Sequence, residues 1–397
     1  MKSKVNILVI TSWSISEPLI QSYTLPNLRL IKSMIDPSSV IYVSTFEKTK
    51  PASDSGDHEF EYIHLPYANF GIKALFLYAA QFIRLLFFIR RKKITHIHAF
   101  APVAGALGLA LKILTDKRLI IDSWEPHADC MVETGTWRKN SLAYKILFYS
   151  EKKQAQKADV LIAAAPSMLE YAHNNFGKTH AVIAYRPAWV DLEKFKRSEV
   201  SRQRIRKQHS WEKKIVCACV SKIGGLYLKE DVFRIISLAE TVFGESFHFL
   251  LLSANQRGEV DSLREQFGVN PDTITHMVVP HNEVVDWLSA CDFALNPQQP
   301  VPSKHHGTPV KDGEYWAMGL PLMILPDISE DSDIVVKEKV GVIFNSLSEE
   351  DIKSALIRMK ELLSSDEAIH QRSRETAITY RNKTIAEKAY KTIYTIE

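Results

Sequence analysis

KHHGTPVKDGEYWAMGLP, residues 304–321, decides how the rest of the chain reads. It is a polar loop running into a short helix, which Gly319 and Pro321 then end. Gly307 lets the main chain turn tightly, and Pro309 suits the start of a helix, where its missing N–H would have had no partner. Behind it Val310, Lys311 and Asp312 open the helix with free N–H groups. Such an end carries about half a positive charge and is a natural seat for a phosphate. One turn further in, Glu314 offers a carboxylate to a sugar hydroxyl. Taken alone, the same stretch is an ordinary capped surface helix, so its surroundings have to decide.

A chain of 397 residues is too long for one ordinary core, and two domains are expected. With 46% hydrophobic and 24% charged residues it is a soluble globular protein. A net charge of +4, from 50 basic and 46 acidic residues, argues against a nucleic-acid partner. Four cysteines without metal-ligand spacing point to a reducing compartment and to no bound metal. Cys217 and Cys219 in VCACV face one side of a buried strand as core. MKSKVNILVI at the N-terminus reads as a first strand and lacks a secretory signal, so a cytoplasmic protein is expected.

Short β-rich runs alternate with longer helical ones, which is the signature of parallel sheets covered by helices. In the first half the strands are VNILVIT, SVIYVST, EYIHLP, THIHAF, RLIIDSW and DVLIAAA. Near Tyr185 the texture breaks into YRPAWVDLEKF and a highly charged helix, residues 198–214. The alternation then restarts with KIVCACV, FHFLLLS, HMVVP, DFALNP, PLMILP and VGVIF. Two successive α/β domains follow, residues 1–185 and 186–379. A final helix, residues 380–397, crosses back to the first. His96 and His98 share one strand face, which suits a packed core.

KALFLYAAQFIRLLFFIRRKK, residues 73–93, is apolar from Ala74 to Ile89 except for Gln81 and Arg84. Its apolar part spans about 24 Å, short of the ~30 Å hydrocarbon layer, so it should not cross a bilayer. A helix apolar nearly all round needs cover on two sides. The sheet supplies one, and an anionic membrane surface met by the RRKK cluster is expected to supply the other. The plain alternative is burial between the sheet and a neighbouring helix.

Three further stretches carry a resemblance. YRPAWVDLEKF resembles the proline–VD–F segment that leads into the second domain of family 4 glycosyltransferases of the GT-B fold. VCACVSKIGGLYLKEDVFRII and HMVVPHNEVVDWLSACDFALNP are similar to that family's next elements, in the same order. KDGEYWAMGLPLMI is similar to its E-x-x-A-x-G-x-P signature. The resemblance implies an α/β protein of two Rossmann-like domains with parallel sheets facing across a cleft. The C-terminal domain would bind a nucleotide sugar, such as a UDP- or GDP-sugar, and the N-terminal domain an acceptor. No metal and no cofactor is implied, because protein groups neutralise the diphosphate.

Residue by residue, Lys222 and Lys229 stand where the family has its basic pair, and would steady the charge that grows as the glycosidic bond breaks. Thr308, Val310 and Lys311, shaped by Pro309, would add the helix start. Glu314 would hold ribose hydroxyls. Two departures stand out. His306 lies where the family has a first glutamate; it can bond sugar hydroxyls and, if charged, a phosphate, but cannot act as a carboxylate. Its neighbours Lys304 and His305 are alternatives for the same place. Lys222 replaces an arginine and loses its bidentate fork. In DSWEPHADCMVETGTW, residues 122–137, Glu125 and His127 are candidates for acceptor activation, with Asp122, Trp124 and Trp137 as an acceptor-binding sugar pocket. The loop TSWSISEPLIQSY lacks the family's paired glycines, and its serines could donate hydroxyls instead.

The expected function is a metal-independent hexosyltransferase acting with retention on a glycan or lipid-linked acceptor in bacterial surface polysaccharide or glycolipid assembly. It would sit peripherally on the inner face of the cytoplasmic membrane. A catalytically silent GT-B partner that keeps the nucleotide site is the alternative, and a nucleotide-sugar epimerase a weaker one. A dehydrogenase is disfavoured, since no G-x-G-x-x-G follows the first strand.

Overall fold

A parallel strand covered by helices on both faces has to be an unbroken apolar run, and most strands here are such runs. The computed structural model describes residues 4–17, 19–49, 59–68 and 72–394. The chain divides into two units. The first draws on Met1–Val132, Trp137–Pro187 and Thr384–Glu397, and the second on Glu133–Thr136 and Ala188–Lys383. The junctions thus fall a few residues beyond the boundaries read from sequence. The final helix, Lys383–Tyr394, belongs to the first unit; residues 395–397 of the expected helix lie outside the described residues.

The first unit holds seven parallel strands: β1 (Ile7–Ile10), β2 (Ile41–Glu47), β3 (Glu61–Pro66), β4 (His96–Phe100), β5 (Arg118–Trp124), β6 (Val160–Ala163) and β7 (Val182–Tyr185). Their order is β3-β2-β1-β4-β5-β6-β7, so the direction of winding reverses between β1 and β4. The edge strand β7 was not marked in the sequence: its short apolar run, VIAY, leads straight into the proline-broken stretch after Tyr185, and Val182 and Tyr185 are exposed. The second unit holds six: β8 (Ile215–Val220), β9 (Phe247–Leu252), β10 (Ile274–Met277), β11 (Phe293–Leu295), β12 (Leu322–Ile324) and β13 (Gly341–Ile343). Their order is β10-β9-β8-β11-β12-β13, reversing between β8 and β11. Cys217 and Cys219 are buried in its core.

The helix Ile72–Arg91 is amphipathic in place: Ala74, Gln81, Leu85 and Ile89 are buried, whereas Phe76, Ile83 and Phe87 are exposed. Gln81 belongs to the inner face because its Nε2 donates to the carbonyl of Pro66, 2.9 Å away, at the end of β3. The helix is therefore covered by the sheet on one side only. No helix among the described residues is long and apolar enough to cross a membrane.

The strand ends of the first unit are gathered by one buried ion pair. Arg186, just past β7, donates to the Asp122 carboxylate on β5 and to Tyr23 Oη at 2.6 Å. Tyr390 of the final helix donates to the same carboxylate at 2.7 Å, and His98 Nε2 lies 3.1 Å from it. Burial alone would raise the Asp122 carboxyl, but Arg186 and then His98 hold it well below the usual carboxylate range. His98 also bonds Tyr394 at 2.6 Å, so the strand-face histidine is indeed a packed core group. Breaking a buried pair leaves the partner charge uncompensated. Asp122→Asn should therefore cost about 3–5 kcal/mol, read by equilibrium urea unfolding; a loss below about 1 kcal/mol would show that the pair does not hold this unit together.

Candidate functional site

In open α/β sheets, ligands sit beyond the carboxyl ends of the strands where the winding reverses. In the second unit that point lies between β8 and β11, and polar and charged residues follow both strands. After β8 the loop turns at Gly224 and Gly225, whose φ of +83° and +66° are left-handed values that glycine adopts without strain. Lys222 is exposed ahead of this turn, and Lys229 is exposed where the helix Glu230–Phe243 begins. Hydrogen bonds seat the loop against the segment that follows β11. Leu228 N–H donates to the carbonyl of Pro297 at 2.7 Å, and Gln299 Nε2 to that of Gly225 at 2.6 Å.

The helix Val310–Ala317 is tied to the same edge. Its Tyr315 hydroxyl accepts from Val220 N–H, the last residue of β8, at 2.8 Å. Asp312 accepts from Asn296 Nδ2, just past β11, at 2.7 Å. Pro309 precedes the helix in an extended conformation, and no side chain caps the first amides. Gly307 is extended as well, with φ at −96°, so the turn expected there does not use its freedom. The side chain of Thr308 is also engaged: its Oγ1 accepts from Ala188 N–H at 3.0 Å.

The charged groups of this edge are arranged in pairs. Lys311 Nζ lies 2.7 Å from Glu314 Oε2, and Glu314 is buried apart from a small opening. Lys194 Nζ lies 2.9 Å from His281 Nδ1. Burial lowers the Lys194 pKa, partly offset by Glu314. Neither Lys194 nor His281 was marked by the sequence reading, since each stands alone in its segment. Lys229 pairs with Glu259 at 2.7 Å, and Glu259 accepts from Asn255 Nδ2 at 2.9 Å. Asn255 Oδ1 in turn accepts from Ile223 N–H at 2.9 Å, which holds the start of the lysine loop. Burial, and then His305 beside it, pushes the His306 pKa down to about 4, so this imidazole is neutral at pH 7 and adds no positive charge there.

Beneath the helix, Asp312 and Asp331 are both fully buried, and Asp331 is paired with Arg381. Burial and the neighbouring Asp331 carboxylate push Asp312 well above the usual carboxylate range. Asp312 is thus part of the support of the helix.

In the first unit the residues expected around an acceptor separate into two groups. Glu125, His127 and Trp137 are partly exposed, and His127 Nδ1 lies 3.8 Å from Glu125 Oε1. Asp122 and Trp124 are fully buried, which corrects their expected contact with a sugar. Asp122 is committed to Arg186, and Trp124 belongs to the core of the unit. In the loop after β1, Ser14 donates to Glu47, whose other oxygen accepts from Ile15 N–H at 2.9 Å. That hydroxyl is committed inside the unit. Among the described residues, no group of three or more His, Cys, Asp and Glu side chains is set to hold a metal ion.

No family model matches the chain, and no curated protein matches it in sequence. Solved structures do. Sucrose-phosphate synthase from Thermosynechococcus elongatus is 13% identical with a TM-score of 0.77, covering 99% of this chain and 98% of that one. HepE from Anabaena in complex with UDP is 12% identical with a TM-score of 0.73, covering 99% and 100%. WaaG, a glycosyltransferase involved in lipopolysaccharide biosynthesis, is 13% identical with a TM-score of 0.73, covering 99% and 100%. With its two parallel sheets of seven and six strands, the chain has the two-domain, Rossmann-like GT-B fold.

The state of His306 is directly measurable. Imidazole NMR on the full chain should give it a midpoint of about 4. A midpoint near the ordinary value of about 6.5 would show that burial does not act on this imidazole and would leave it partly charged near neutral pH.

Proposed function

We propose that this chain is a glycosyltransferase that moves a hexosyl unit from a nucleotide sugar to a glycan or lipid-linked acceptor. The observation that carries the reading is the bond from Val220 N–H to Tyr315 Oη. It ties the strand that leads into Lys222 and Lys229 to the helix that bears Lys311 and Glu314. A diphosphate at this edge meets ammonium groups and uncapped helix amides, which stabilise the negative charge of the leaving group as the glycosidic bond breaks. Glu314 takes the ribose hydroxyls, and neutral His306 bonds hydroxyls of the transferred sugar.

The likeness to HepE, solved with UDP, favours a uridine nucleotide, and the likeness to WaaG favours a surface-glycan acceptor. Both fit a family 4 enzyme of bacterial polysaccharide or glycolipid assembly that acts with retention and without a metal or cofactor. Glu125 and His127 stand for acceptor activation, with Trp137 against the acceptor ring. Asp122 and Trp124 support the strand end beneath them. Helix 72–91, with Phe76, Ile83 and Phe87 outward and basic residues at its end, puts the chain on the cytoplasmic side of an anionic membrane.

A panel of UDP- and GDP-sugars tests this. One donor should release its nucleotide slowly alone and faster with acceptor. Glu314→Ala and Lys229→Ala should each lower kcat/KM roughly 100-fold. If both variants keep full activity the site is elsewhere, and if a nucleotide binds without turnover of any donor the chain is a silent partner.

A further inference from the structure

The first unit carries an unusual outer surface. The helices Ile72–Arg91, Ala101–Thr115 and Leu142–Lys157 connect parallel strands that succeed one another in the same direction along the sheet. Right-handed crossovers therefore put all three on one face, running side by side, and the helix Ala101–Thr115 packs against both of the others.

Each helix leaves large apolar side chains in solvent. On the first, Phe76 and Phe87 are 71% and 65% exposed, with Ile83 between them. Positions 76, 83 and 87 lie on one helical stripe. On the third, Leu142, Ile146 and Tyr149 form a similar stripe, and Leu142 is 72% exposed. The middle helix is the decisive one. Its sequence, APVAGALGLALKILT, contains one charged residue, Lys112, yet Val103, Ile113 and Leu114 are exposed. A helix whose exposed large side chains are apolar, with a single charged residue, at the centre of a surface is not a solvated face.

Charge adds a second argument. Residues 72–93, 101–117 and 138–157 carry fourteen basic residues against two acidic ones, Asp116 and Glu151. Glu151 is fully buried. The chain as a whole is only +4, so everything outside these segments is net acidic. Basic charge is concentrated where the apolar residues are exposed.

We propose that these three helices form one docking surface for an anionic lipid bilayer, with the helix Ala101–Thr115 at its centre. The proposal rests on the membrane part of the reading above and extends it from one helix to three. Apolar side chains at the centre enter the headgroup boundary while flanking lysines and arginines meet lipid phosphates. A second copy of the chain is the poorer occupant, because a two-fold contact would set two strongly basic faces against each other.

The test is flotation of the full chain with vesicles of phosphatidylglycerol and phosphatidylcholine, or of phosphatidylcholine alone, at low and high salt. The protein should float with the anionic vesicles and be weakened by salt. Three variants, Phe76→Ser/Phe87→Ser, Ile113→Ser/Leu114→Ser and Ile146→Ser/Tyr149→Ser, should each lower partitioning about tenfold. Far-UV circular dichroism and melting temperature should match the parent, as expected for exposed positions. If only the first variant loses binding, the single-helix reading stands and the three-helix surface is overturned. If none does, or the parent never floats, lipid docking by this face is wrong; sedimentation then shows whether the face pairs copies of the chain. Nucleotide release from the donor in solution, measured on the same variants, reports on the transferase reading separately.

Discussion

A parallel sheet covered by helices leaves a polar group only one place to work, and that is the carboxyl ends of its strands. Both sheets here obey this constraint. The strand interiors are mostly apolar, such as IVCACV in β8 and LMI in β12. Charged and amide groups gather at their ends: Asp122 at the end of β5, Lys222 after β8, Asn296 after β11. Which of those groups can meet a ligand is then decided by burial and by the partner each already has.

Each unit also places one arginine among buried acids. In the first, Arg186 and Asp122 are both fully desolvated, and the cost is offset by bonds from Tyr390, His98 and the Ser123 amide to the same carboxylate. In the second, Arg381 faces two acids, and one positive charge cannot hold two buried negative charges. The result is an Asp312 carboxyl held well above the usual carboxylate range. Arg381 also accepts, through its carbonyl, the N–H of Val190 at 2.9 Å. The chain entering the second unit and the chain leaving it are therefore fastened to each other. Thr308 fastens the entering segment to the turn ahead of Val310 through the Ala188 amide, so both ends of this unit bear on the site helix.

The α/β alternation was readable because buried parallel strands announce themselves by composition, and twelve of the thirteen runs are marked in the sequence. β7 was not: its four residues, VIAY, merge into the aromatic, proline-broken stretch that follows Tyr185. The helix Val310–Ala317 was legible from Pro309, Glu314 and Gly319, because its end signals are local. Its partners were not, since Asn296, Ala188 and Val220 reach it from remote segments. The same holds for Asp122 and Trp124. A strand-end carboxylate beside an aromatic looks alike in sequence whether it faces a sugar or a buried arginine, and only the arrival of Arg186 and Tyr390 from elsewhere distinguishes the two. Helix 72–91 was legible as apolar nearly all round, but which face meets the sheet was not: buried Leu85 and Ile89 alternate with exposed Ile83 and Phe87.

The ion pairs at the second unit's edge explain how lysines aimed at a phosphate can be kept in place without one. Lys229 with Glu259, and Lys311 with Glu314, are pre-formed, and the first is substantially solvent-exposed. An exposed pair of this kind contributes only ~0–1 kcal/mol. A diphosphate brings more than one negative charge and several acceptor oxygens, and its charge-assisted bonds are individually stronger than neutral ones. Exchange of carboxylate for phosphate is therefore favourable for Lys229 and leaves Glu259 with Asn255, which still holds the start of the loop. The pair at Lys311 is less easily exchanged, because Glu314 is nearly buried and would lose its counter-ion. The two lysines are thus unequal: Lys229 is the one that can move toward an arriving anion, and Lys311 the one that stays beside the buried Glu314.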